Sequence, residues 1–166
     1  MKRATKLKEP VKDYSLNAKG GRKVKLSSLF GGKDELILVH NMGTGCEYCT
    51  MWADGFNGVV NHLEDRAAFV VASPNSPDVQ EKFAESRGWR FKMVSHKGTS
   101  FNEDLGFEKD GKQTPGVSVF KKTHDGKIVR VAKDVFGPGD DYCITWHFFD
   151  LLPSGSKGWE PKYTYD

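Results

Sequence analysis

Three cysteines in 166 residues are too few to staple a small scaffold together, so the chain must hold itself with a hydrophobic core. No apolar run approaches the roughly 18 residues that a membrane-spanning helix needs. The start, MKRATKLKEPVKDYSLN, is basic but has no apolar stretch behind it, so no export signal is expected and the cytoplasm is the expected compartment. A large excess of one charge is also missing. The net charge is +3, and much of it falls in Lys2, Arg3, Lys6, Lys8 and Lys12. Basic residues do not cluster with aromatics on any one segment, which argues against nucleic acid as a partner, and nothing argues for a membrane. Repeats and low-complexity blocks are absent as well.

What is present reads as one domain: a flexible arm over residues 1–12, a folded unit over 13–153 and a tail over 154–166. Tyr14 to Leu16 and Val24 to Leu26 alternate around the turn Lys19-Gly20-Gly21, which predicts a hairpin. Leu36-Ile37-Leu38-Val39 is the continuous apolar run of a strand covered on both faces. After the glycine-rich loop Asn41 to Gly45, the positions Trp52, Phe56, Val59, Val60 and Leu63 trace a helical stripe that starts near Cys46. Gly55 and Gly58 weaken that helix and suggest that another element approaches it closely. Phe69 to Ala72 is a second buried strand. Ser76-Pro77-Asp78 opens a helix with an N-cap serine, and Gly88 stops it. Trp89 to Val94 is extended, and Val117 to Phe120 and Ile128 to Val131 flank the turn at Asp125-Gly126. Tyr142 to Leu152 is a last helix. Alternating strands and helices imply right-handed crossovers and a three-layer α/β/α sandwich on a mixed sheet, with an N-terminal hairpin.

Chemistry centres on Cys46 and Cys49. Placed after a buried strand and at a helix start, the first sulfur meets free backbone N–H groups and the positive helix end, which favour a thiolate. The second lies one turn on, where it can attack the first and resolve a mixed disulfide. Two other readings of the pair stay open: buried structural thiols, or part of a zinc site completed by Cys143 and His147, four apart on the last helix. A c-type haem site is excluded in its usual form because Thr50 stands where histidine is required. No cofactor is called for.

Thr114-Pro115 precedes a strand. A cis bond there would hold the edge of residue 114 beside the dithiol, and a trans turn proline is the alternative. Together with Tyr48, these two residues are the candidate substrate contacts. His40, at the end of the central strand, is a candidate base for Cys49 or else a hydrogen-bonded core histidine. Asp54 reads as a solvated or packing-loop polar group. Cys143 reads as a small buried apolar residue, and Trp52, Phe56 and Trp146 as core.

With the dithiol after a strand and Thr-Pro before a hairpin, the chain resembles the thioredoxin superfamily. Its opening, Tyr14 to Gly32, resembles the N-terminal hairpin of peroxiredoxin-like members. WADGFNG at Trp52 to Gly58, PGVSVF at Pro115 to Phe120, Gly88-Trp89 and Phe101-Asn102 resemble a bacterial family of unknown function labelled predicted dithiol-disulfide isomerase. That resemblance spans about residues 11 to 153. It implies a thioredoxin fold, Cys46 as nucleophile, Cys49 as resolving thiol, Pro115 as a cis proline, and as partners a protein or small-molecule disulfide and an electron donor. A thiol peroxidase of peroxiredoxin-like type and a zinc-stabilised binding domain are the alternatives. Gly45 departs from the tryptophan that precedes the dithiol in thioredoxin, and Glu47-Tyr48 departs from the usual dipeptides between the cysteines. Glu47 is expected to disfavour the neighbouring thiolate and to make the pair reducing.

Overall fold

The segment expected to be a loose arm is instead a strand. The computed structural model describes residues 5–166, and Thr5–Val11 (β1) forms one edge of the main sheet. Residues 1–4 of the expected arm lie outside the described residues. In register with Arg130, Glu9 accepts its Nε–H at 2.8 Å and pairs with Nη2 at 2.6 Å. Lys6 and Lys8 are exposed along β1 and mark it as a charged, guarded edge.

The expected hairpin is present as Ser15–Asn17 (β2) and Lys23–Lys25 (β3), with Leu16 facing Val24. A 3₁₀ turn at Leu26–Phe30 then drops Leu26, Leu29 and Phe30 into the core. Glu35–His40 (β4) is the central strand. The single long helix expected after it is two helices, Glu47–Gly58 (α1) and Val60–Arg66 (α2). Val59 breaks them apart with φ −117° and ψ 11°. Nothing lies within 4 Å of a side chain built at Gly55 or Gly58, so the expected close neighbour is absent and the glycines only weaken the helix end.

Ala68–Ser73 (β5) is followed by Pro77–Arg87 (α3), which Gly88 stops in the left-handed conformation at φ +67°. Ser76 occupies the cap position without a side-chain capping bond. Then come Lys92–Ser95 (β6), the short Phe101–Asp104 (α4), the small ribbon Glu108–Lys109 (β7) and Lys112–Gln113 (β8), and the long pair Gly116–Lys122 (β9) and Ile128–Val135 (β10). The last helix, Ile144–Phe149 (α5), is shorter than the expected Tyr142 to Leu152.

Eight strands run in the order β1-β10-β9-β4-β5-β6-β2-β3. β4, β5 and β6 are parallel, while β9 runs antiparallel to β4 with Val39 opposite Val117. Period-two alternation sorts the apolar run onto two faces. Leu36 and Leu38 join Phe30, Phe101 and Phe120 on one side. Val39 joins Trp52, Phe69, Val71 and Trp146 on the other, with Ile37 packed against them. The result is the expected α/β sandwich on a mixed sheet, with β4 ending where the dithiol begins. Among the described residues no helix is long and apolar enough to cross a membrane.

Candidate redox site

β4 ends at His40, and the five residues after it carry the chain across the sheet end to Cys46, the N-cap of α1. This loop is tightly tied. Asn41 donates to Cys49 O at 3.4 Å and accepts from Gly43 N at 2.7 Å. Gly43 adopts φ +100°, and a Cβ there would stand 2.5 Å from Asn75 Oδ1, so only glycine fits. That same Oδ1 accepts from Thr44 N at 2.9 Å.

Cys46 and Cys49 are joined as a disulfide, with Cα atoms 5.2 Å apart. Their environments differ. Cys46 is half-buried, and its Sγ accepts from Cys49 N at 3.0 Å, so a free amide of the first helical turn points at the sulfur. Cys49 is buried at 2 % exposure, and its Sγ accepts from Met42 N at 3.4 Å. Thr50 anchors the turn from below, donating from N at 3.1 Å and from Oγ1 at 2.9 Å to Cys46 O. A sulfur on a half-buried residue, facing one helix amide and with its partner buried directly behind, is an arrangement in which a thiolate can be held and a second thiol can reach it.

The other candidates separate. Tyr48 is half-buried beside the dithiol and lies near Trp146, ring centroids 6.2 Å apart. Glu47 is exposed in the first turn of α1. Thr114 is exposed and Pro115 half-buried, just before Gly116, which faces His40 across the β4–β9 pair. The cis bond expected at Thr114-Pro115 is absent, because every peptide bond among the described residues is trans. Thr114 N is used internally, donating to Phe107 O at 2.8 Å, so its N–H is not free to bond a substrate strand.

His40 is a core histidine. Its Nδ1 lies 2.9 Å from Asn102 Oδ1 and its Nε2 2.8 Å from Ser118 Oγ, so both ring nitrogens are engaged away from Cys49. Burial, more than any neighbouring charge, holds its pKa down at about 3. Cys143 is a free, buried thiol in the same cluster as Cys49 and Trp52. His147 is exposed, and its Nε2 is 3.8 Å from Asp141 Oδ1. The tetrad Cys46, Cys49, Cys143 and His147 is not assembled, and the described residues hold no cluster of three or more metal-ligating side chains.

Sequence reasoning gave several residues around the site no specific part in it. Asp54 is a latch: it pairs with Arg87 (Nη2 2.6 Å, Nε 3.0 Å) and accepts from Trp89 Nε1 at 2.7 Å. The C-terminal residues also pack onto the site. Tyr163 OH donates to Thr44 O at 2.8 Å, and Arg87 Nη1 donates to Tyr163 O at 2.7 Å. Trp159 packs against Phe149 and Trp146, at centroid separations of 5.0 and 6.1 Å. Three aromatics in a short terminal segment, Trp159, Tyr163 and Tyr165, were the available signal.

Residues 5–165 match the model of a family described as a bacterial protein of unknown function, DUF899. No curated protein matches the sequence. Among solved structures, the chain is similar to the peroxidoxin BcpB from Mycobacterium tuberculosis, with 23% identity, coverage of 84% of this chain and 90% of that one, and a TM-score of 0.63. It is similar to reduced Prx3 from Vibrio vulnificus, solved in complex with hydrogen peroxide, with 17% identity, 84% and 91% coverage and a TM-score of 0.63. A peroxiredoxin-like protein from Aquifex aeolicus matches with 17% identity, 81% and 78% coverage and a TM-score of 0.57. At these identities the likeness establishes a shared thioredoxin-like fold.

Proposed function

The chain belongs to the bacterial family of unknown function DUF899, and within that family we propose that it is a thiol–disulfide oxidoreductase, reductase or isomerase, working through Cys46 and Cys49. The observation that carries this reading is the asymmetry of the pair: Cys46 half-buried on helix amides, Cys49 at 2 % exposure behind it. In the reduced protein the Cys46 thiolate attacks one sulfur of a substrate disulfide. A mixed disulfide forms and the other substrate sulfur leaves as a thiolate. Cys49, losing its proton, then attacks Cys46 Sγ and releases the second substrate thiol. Two electrons pass to the substrate, and an external dithiol donor restores the reduced pair.

Peroxide reduction is the second reading, favoured by the similarity of the fold to the peroxidoxin BcpB and to Prx3 solved with hydrogen peroxide. It asks for a cation or donor set facing the oxygen that leaves. Arg87, the arginine tied to the dithiol loop through Tyr163, is already engaged by Asp54 and Tyr163 O. Disulfide exchange is therefore ranked first.

The test mixes Cys49→Ser protein with a peptide disulfide. A stable covalent adduct on Cys46, absent in Cys46→Ser, is expected. Rapid consumption of hydrogen peroxide by the reduced wild-type protein, with no adduct in the peptide arm, would overturn the ranking.

A further inference from the structure

Beside Tyr48 lies a cleft of about 260 Å³ lined by Tyr48, Pro138, Gly139, Trp146, Asp150, Ser156 and Trp159. It is smaller than the roughly 300–1,000 Å³ of a drug-sized ligand pocket, so it suits one side chain. Three of its walls are aromatic. The rings of Tyr48 and Trp146 are near parallel, 29° apart with centroids at 6.2 Å, and Trp159 meets Trp146 at 70°. The three rings pack on one another and together wall the cleft, and aromatic faces present negative quadrupole to whatever enters. The one ionisable acid or base besides the tyrosine on its lining is Asp150, an exposed carboxylate. Lys157, adjacent to Ser156, is not among the lining residues.

Aromatic walls with a carboxylate at the rim recognise a cation. We propose that this cleft is the specificity site of the enzyme and takes a lysine or arginine side chain next to the substrate disulfide, so that the preferred substrates are cationic peptide disulfides. The inference rests on the exchange reading above. Tyr48, which lines the cleft, lies two residues from Cys46, so a side chain held against it is held beside the turn that carries the attacking sulfur. The cleft also gives the terminal segment a role, because Ser156 and Trp159 supply one of its walls.

The test uses two short peptides whose single cysteine carries a thionitrobenzoate group, one with lysine beside the cysteine and one with norleucine. Reduced protein is varied in excess, and release of the coloured thiolate gives a half-saturating concentration and a limiting rate separately. The lysine peptide is expected to half-saturate at about five- to thirtyfold lower protein, the combined effect of a cation–π contact and an exposed ion pair. High salt and Asp150→Asn, a surface change that leaves the core untouched, should each shrink that ratio, and Trp159→Leu should bring it towards one. Equal half-saturation by both peptides in the wild-type protein would overturn the cleft and leave exchange standing. Release from neither peptide would overturn the exchange reading itself, and the cleft with it.

Discussion

The hydroxyl of Tyr163 donates to the carbonyl oxygen of Thr44 at 2.8 Å, so the end of the chain is bonded to the loop that carries the dithiol. The two residues are 119 positions apart, and this contact makes the terminal segment part of the site. Arg87 fastens the same tyrosine through its carbonyl while gripping Asp54 on α1. Loop, helix and terminus are thereby locked together.

Tyr163→Phe removes the hydroxyl and keeps the ring that packs against Phe83. A lost side-chain-to-backbone hydrogen bond costs about 1 kcal/mol. Thermal unfolding should fall by about 2–4 °C for a chain of this length. Amide exchange at Thr44 to Cys46 should accelerate more than exchange in β4. Equal acceleration everywhere would mean the bond has no local role.

Gly43→Ala tests the turn before Cys46. At φ +100°, with Asn75 Oδ1 2.5 Å from the new methyl, both backbone strain and a collision oppose the substitution. A loss of about 1–3 kcal/mol in urea unfolding is expected. Asn75→Ala relieves the collision but also removes the acceptor of Thr44 N, so measured against Asn75→Ala alone the glycine substitution should cost less than in the wild-type protein and still be destabilising.

Two buried histidines set an acid limit on stability. His40 is held at about 3, below its ordinary 6.5, and burial lowers His96 as well. As pH falls below about 6.5, the unfolded chain binds protons that the folded chain refuses, so stability is lost on acidification and is complete above that range. Each such histidine contributes a slope of at most about 1.4 kcal/mol per pH unit. Between about pH 6.5 and 5, above the carboxylate range, urea midpoints should decline, and His40→Gln should flatten the decline. A flat wild-type profile in that window would contradict the assignment.

Glu47→Gln removes the carboxylate next to Cys46 in the first turn of α1. A negative charge there opposes the thiolate, so its removal should move the thiolate titration of the reduced protein to lower pH. The reduction potential should become less negative, since a stabilised thiolate favours the reduced pair. Ultraviolet absorbance of the thiolate measures the first effect and glutathione equilibration the second. An unchanged titration would remove Glu47 from any tuning role.

The sequence by itself determined the elements whose signals are local. The unbroken apolar run Leu36 to Val39 specified a strand buried on both faces, and the spacing of Cys46 and Cys49 specified sulfurs one turn apart, because period and pitch are properties of the backbone alone. Tertiary structure decided what those elements meet. His40 became a neutral core histidine because Asn102, 62 residues away, and Ser118, 78 away, take both ring nitrogens. Thr5–Val11 became a strand because β10 offers it an edge and Arg130 offers Glu9 a partner. Trp159 and Tyr163 joined the site for the same reason: burial and hydrogen bonding depend on the residue brought alongside, and at such separations only the folded sheet brings it there.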